Sequence, residues 1–182
     1  MKSRELEKYL VELGEDLEKQ GIIEPIRVLM IGGAYMILLT KMRNRTTDDI
    51  DVLFLDQDRI PNLILLNTVQ AIATKHQETL NDKWLNANAA NFLPIYGPIP
   101  HGQFWRNYGP LQIYIPNAEY ILALKLISTR QKDLTDAKYL CKFLGITRKQ
   151  QKYTIMYTYI ENPDELSEIS DWKGNIDRLG LH

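Results

Sequence analysis

The sequence predicts an α/β fold of the α+β kind, a small mixed sheet flanked by helices with a helical layer at the C-terminal end. Three observations carry that prediction. Apolar stretches with the two-residue period of a strand stand at 26–31, 49–55 and 111–115. Segments with helical period separate them. From residue 117 onward, helix starts and stops follow one another without a further strand signal.

Taken in order, Leu6, Leu10, Leu13 and Leu17 fall on one face of a helix over 4–20, and Gly21 is its natural stop. The strand 26–31 ends at Gly32-Gly33, which opens an apolar helix over 34–42. Lys41, Arg43 and Arg45 suit the negative end of that helix's dipole. The strand 49–55 follows, and then a helix starting near Pro61 and running to about Thr79, with His76 near its end as a surface residue. Residues 81–110 carry four prolines and three glycines among six aromatics, which predicts an irregular, functional or mobile segment. Its aromatics either stack on a nucleobase or tuck the segment onto the core. Leu111 to Ile115 alternates as a half-buried strand. Asn117 caps a helix over 118–128, Asp133 caps a second to about 143, and Thr147 with Gln150 forms a capping box for a third over 148–160. One further short turn starts near Asn162, and 171–182 carries no clear signal. This organisation predicts a core over 1–116 and a helical part over 117–182 packed on it.

The chain has 182 residues, 45% apolar and 25% charged, which is ordinary for a folded globular protein. No apolar run reaches the length of about 20 residues that spans a bilayer, so no membrane partner is expected. The first residues read as a charged helix rather than a leader, and a lone cysteine, Cys141, fits a reducing cytoplasm as a buried thiol. A net charge of −1 excludes a globally basic nucleic-acid binder, yet the charge is uneven. Residues 125–152 carry eight cations against Asp133 and Asp136, and residues 161–182 carry six acids against two cations. The basic stretch either neutralises a polyphosphate or forms a solvated helix face.

Chemistry concentrates in Ile31 to Leu55. Asp49 and Asp51 lie two apart on a strand and face the same way, while Ile50, Val52 and Phe54 face the core. Two adjacent carboxylates repel, and a cation between them relieves the cost. Hard oxygens of this kind suit Mg²⁺, which also binds substrate phosphates. Gly32-Gly33 at a strand-to-helix turn offers backbone N–H groups to a phosphate.

The order Gly32-Gly33, a helix, then Arg45-x-Thr47-x-Asp49-Ile50-Asp51 resembles the signature of the polymerase-β-type nucleotidyltransferase superfamily, and in particular small bacterial members akin to AbiEii-type toxins. A second block at 123–136 is similar to an element of the same relatives and matches it at Lys125, Arg130, Asp133 and Asp136. The resemblance implies a nucleotidyltransferase-like sheet. It also implies Asp49 and Asp51 as metal ligands and catalytic acids, with Asp136 as a further catalytic acid or ligand. Gly32, Gly33, Arg45, Thr47, Lys125 and Arg130 would hold the nucleotide. Mg²⁺ would be the cofactor, a nucleoside triphosphate the substrate, and RNA (tRNA included), a protein or a small molecule the acceptor. A cognate toxin or antitoxin partner belongs to the same expectation. In that superfamily a third acid on a neighbouring strand completes the metal set. Here the strand 111–115 offers Gln112 and Tyr114, and Trp84-Leu85-Asn86 is followed by Ala87 where relatives carry an acid. Two function classes therefore stand: an Mg²⁺-dependent nucleotidyltransferase, and a catalytically inactive module that keeps the fold for binding.

Overall fold

In the computed structural model, residues 1–42, 44–56 and 63–180 are described, and they divide into two units. Unit 1 comprises Met1–Asn91 and His101–Pro116; unit 2 comprises Phe92–Pro100 and Asn117–His182. Residues 92–100, kept with the core in the sequence reading, thus group with the helical part. The fold is α+β: helices and a small five-stranded mixed sheet. Among the described residues no helix is long and apolar enough to cross a membrane.

Unit 1 is built on the leucine ladder of α1, Ser3–Lys19. Leu6, Leu10, Leu13 and Leu17 have no exposed surface, and each buried leucine contributes about 1.5–3 kcal/mol of transfer free energy. The strands are β1 (Ile26–Met30), β2 (Ile50–Phe54), β3 (Leu85–Asn86), β4 (Gln103–Tyr108) and β5 (Leu111–Ile115), in spatial order β3-β2-β1-β5-β4. β1 runs antiparallel to β2 and parallel to β5; β3 is parallel to β2, and β4 is antiparallel to β5. Two helices complete the unit, α2 (Gly32–Leu38) and α3 (Leu63–Lys75). Gly14 lets α1 lie directly on β4, since a methyl there would run into the Tyr108 carbonyl. α1 is also tied to α3's end. Glu12 accepts from Lys75 Nζ at 2.6 Å and pairs with His76 Nε2 at 2.9 Å, while the Tyr9 ring stands 5.2 Å from the imidazole. Burial raises the Glu12 carboxyl, but Lys75 and His76 more than offset it and hold it below its ordinary value. His76 is therefore not the surface residue expected; it is a half-buried member of an interhelical cluster.

Unit 2 is organised around α4, Ala118–Ile127, which is buried along most of its length. The other helices are α5 (Gln131–Phe143), α6 (Lys149–Tyr159) and α7 (Trp172–Arg178). Helix ends leave carbonyls without partners. α7 supplies them for α4: Asn175 Nδ2 donates to the Leu126 and Ser128 carbonyls at 2.8 and 3.0 Å. Ser170 Oγ donates to the Ile127 carbonyl at 2.6 Å. Trp172 is fully buried and donates its indole N–H to the Pro163 carbonyl at 2.7 Å. Cys141 is buried, and burial pushes its thiol pKa up, which keeps it protonated and unreactive.

Four local expectations need correcting. The stretch 81–110 is not irregular throughout: β4 occupies its end and hairpins with β5 through Gly109-Pro110. The tail contains α7, capped by Asp171, whose carboxylate accepts from the Gly174 N–H at 3.2 Å. The helix α2 is two turns at most and stops at Leu38, because Thr40 Oγ1 bonds back to the Met36 carbonyl and Lys41 takes a left-handed φ of 57°. Caps shift as well: Arg130, not Asp133, precedes α5, and Gln151 rather than Gln150 closes the capping box of α6, accepting from the Arg148 N–H at 2.9 Å. Arg43 and Pro61 lie outside the described residues.

Candidate functional site

The site of unit 1 follows from sheet register. Met30 faces Val52 across β1 and β2, so the Ile31 N–H reaches the Asp51 carbonyl at 3.0 Å and the next residue, Gly32, lies against Asp51. Gly32 has a φ of 67°, and any side chain there would run into Asp51 Oδ2. Gly33 is equally constrained: a methyl would come within 2.6 Å of Thr47 Oγ1 and 3.4 Å of the Arg45 guanidinium. Both glycines thus hold backbone close to side chains of the Arg45–Asp51 stretch.

The outer neighbour of β2 is β3, and it contributes a residue to which sequence reasoning assigned no role. Trp84 is fully buried and donates its indole N–H to the Val69 carbonyl at 3.0 Å. The Ile50 N–H donates to the Trp84 carbonyl at 2.6 Å, and Asp51 pairs with Asn86 in the parallel register. This anchor places Asn86 across both acids. Its Nδ2 donates to Asp49 Oδ2 at 3.2 Å and to Asp51 Oδ1 at 3.0 Å. Its Oδ1 accepts from the Asn88 N–H at 3.0 Å, which fixes the amide's orientation. Thr47 Oγ1 donates to Asp49 Oδ1 at 3.3 Å. Neutral donors therefore relieve part of the repulsion within the carboxylate pair. Both acids remain half-buried rather than sealed.

Asp49 Oδ2 and Asp51 Oδ1 converge on one amide nitrogen, so the two acids lie close enough to share a ligand, and hard oxygens of this kind suit Mg²⁺. A two-ion set needs more acids. Among the described residues no group of three or more His, Cys, Asp or Glu side chains is placed to hold a metal. The strand 111–115, which carries Gln112 and Tyr114 rather than an acid, is separated from β2 by β1; the strand beside β2 supplies Asn86 instead.

The second block folds into a buried ion-pair cluster inside unit 2. Lys125 is only 5% exposed, and Asp133 and Asp136 are not exposed at all. Lys125 Nζ pairs with Asp133 Oδ1 and, at 3.0 Å, with Asp136 Oδ2. Asp133 also accepts from Ser128 Oγ at 2.6 Å and Arg130 Nε at 2.5 Å. Burial raises its pKa, but Lys125 and these bonds prevail and hold it below the ordinary carboxylate range. The anion that a buried Lys125 amine requires is thus supplied from within unit 2. Gly32, Gly33, Arg45, Thr47, Asp49 and Asp51 come together in unit 1, and Lys125, Arg130, Asp133 and Asp136 come together in unit 2. Compared with protein-family models, curated proteins and solved structures, the chain matches none.

Proposed function

We propose that this protein is an Mg²⁺-dependent nucleotidyltransferase, moving a nucleoside monophosphate from a nucleoside triphosphate to an acceptor. The observation that carries the reading is that Asp49 and Asp51 converge on the amide of Asn86 while the other Asp51 oxygen lies against Gly32, a position that admits no side chain. Asp49 and Asp51 would hold Mg²⁺, which supplies positive charge against the phosphate oxygens when bound. Thr47 and Asn86 orient the carboxylates. Gly32 and Gly33 let the substrate's phosphates approach the backbone, and Arg45, beside Gly33, supplies a guanidinium to pair with them. Lys125, Arg130 and Asp136 are left out of this constellation because Lys125 pairs with Asp136, and Arg130 with Asp133, inside unit 2.

One observation favours a second reading, an inactive nucleotidyltransferase-type binding module: Asn86 satisfies both carboxylates without a metal. The two readings separate in one experiment. The protein is incubated with each radiolabelled nucleoside triphosphate, Mg²⁺ and total RNA or lysate. Transfer of label, lost in Asp49→Asn and in Mg²⁺-free buffer, supports the enzyme. No transfer with any nucleotide, from protein that still binds one, supports the module.

A further inference from the structure

Beside the carboxylate site, unit 1 carries a groove of about 1010 Å³. Its walls are the start of α1, the end of α2 with the segment just after it, and β4. Five cations line it: Lys2, Arg4, Lys41, Arg45 and Arg106. The acids on its wall are Glu5 and Glu7, and both are engaged. Glu5 accepts from the Lys2 backbone N–H at 2.7 Å, and Glu7 accepts from Arg106 at 2.9 Å. The groove therefore carries a balance of +3 on a chain whose net charge is −1. Lys2, Arg4 and Lys41 are exposed, so their charges face an incoming ligand.

The groove also offers an aromatic surface. Trp105 is half-buried, and the Arg106 guanidinium lies 4.8 Å from its ring centroid. A tryptophan beside cations suits a chain that alternates flat bases with phosphates. An acidic peptide would match the charges but has no systematic use for the ring. Arg45 joins the two places, since it lines the groove and its guanidinium stands next to Gly33.

We propose that this groove binds the acceptor, and that the acceptor is a single-stranded nucleic acid. Its phosphates run along Lys2, Arg4 and Lys41, one base stacks on Trp105, and Arg45 marks where the strand meets the carboxylate site. This rests on the transferase reading for the word acceptor, and on the groove alone for the binding.

Fluorescence anisotropy with a labelled single strand of about ten nucleotides tests it, a length within the usual site size of such grooves. Binding is expected at low salt, and to weaken as salt rises because phosphate contacts release counterions. Trp105→Ala should lower affinity by about tenfold or more, the usual scale for loss of one stacked base. Lys41→Glu, at an exposed position, should lower affinity and flatten the salt dependence. Asp49→Asn should bind the strand as wild type does. Mg²⁺–nucleotide binding, followed by the shift in melting temperature, should survive Trp105→Ala and Lys41→Glu. Strand binding without any nucleotide binding would overturn the transferase reading and leave this one standing. Nucleotide binding without strand binding would do the reverse. Strand binding indifferent to both groove variants, or an acidic peptide bound where the oligonucleotide is not, would overturn the proposal.

Discussion

The two acidic pairs of this protein show what decides whether a carboxylate is a site or a strut. In unit 1, Asp49 and Asp51 share the amide of Asn86, Asp49 also accepts from the Thr47 hydroxyl, and both keep some exposure. In unit 2, Asp133 and Asp136 share a lysine and have no exposure. Neutral donors lower the repulsion of a pair without cancelling its charge. In unit 2 the buried Lys125, with Arg130 on Asp133, cancels that charge internally. Two motifs that look alike in sequence, acids spaced by one or two residues near cations, are thus separated by the charge of the group placed between them.

The largest effect should come from breaking the strut. Lys125→Ala leaves Asp136 without its buried cation and Asp133 with Arg130 alone, and removing one partner of such a cluster costs about 3–5 kcal/mol. Urea unfolding measures it; a loss below about 1 kcal/mol would show that the cluster is already hydrated. Next comes Gly32→Ala, where a left-handed φ and a collision with Asp51 should cost about 1–3 kcal/mol. It should also abolish any Mg²⁺-dependent rise in melting temperature, because Asp51 must move.

Acid titration sharpens the contrast further. The folded-state pKa of Asp133 lies below the unfolded value of about 3.9. Its contribution is therefore present above that value and is lost as pH falls through the folded one. Lys125→Ala, which removes the main partner, should show a shallower loss of stability below about pH 4 than wild type. Equal slopes in the two proteins would mean that another carboxylate dominates acid unfolding.

The smallest effect is expected at the site itself. Asp49→Asn removes one charge from a repelling pair, so metal-free stability should change by less than about 1 kcal/mol in either direction. A large loss would make Asp49 a strut like Asp133. Asn86→Asp works the other way. It adds a third acid where the metal set is short, and should lower metal-free stability while tightening Mg²⁺ binding.

Much of the fold was legible because single elements announce themselves. The leucine ladder of α1, the alternation of β5 and the apolar run of α4 each carry their own period. β4 was not legible, since it is an edge strand whose Phe104 and Arg106 are exposed, so no apolar alternation marks it. α7 is short, and its signal was the cap Asp171 three residues before Gly174. At the site, Asp49 and Asp51 could be paired from spacing alone, and Gly32-Gly33 could be placed at a strand end. Asn86 could not be given its role. It lies 35 residues beyond Asp51, and it reaches the acids only because buried Trp84 fixes a two-residue strand beside β2. In the second block, spacing offers Asp136 as an anion for a buried Lys125, but it does not show that Asp133 shares that lysine in the interior.

The most direct measurement is the melting temperature with and without Mg²⁺ and each nucleoside triphosphate, for wild type, Asp49→Asn and Arg130→Ala. A ligand that binds only the folded state at a hundred times its Kd stabilises it by about 2.7 kcal/mol, a shift of several degrees for a chain of this size. The account predicts a rise for wild type with at least one nucleotide, its loss in Asp49→Asn, and its persistence in Arg130→Ala relative to that variant's own metal-free value. A rise that survives Asp49→Asn but vanishes with Arg130→Ala would place nucleotide binding in unit 2 and contradict the account.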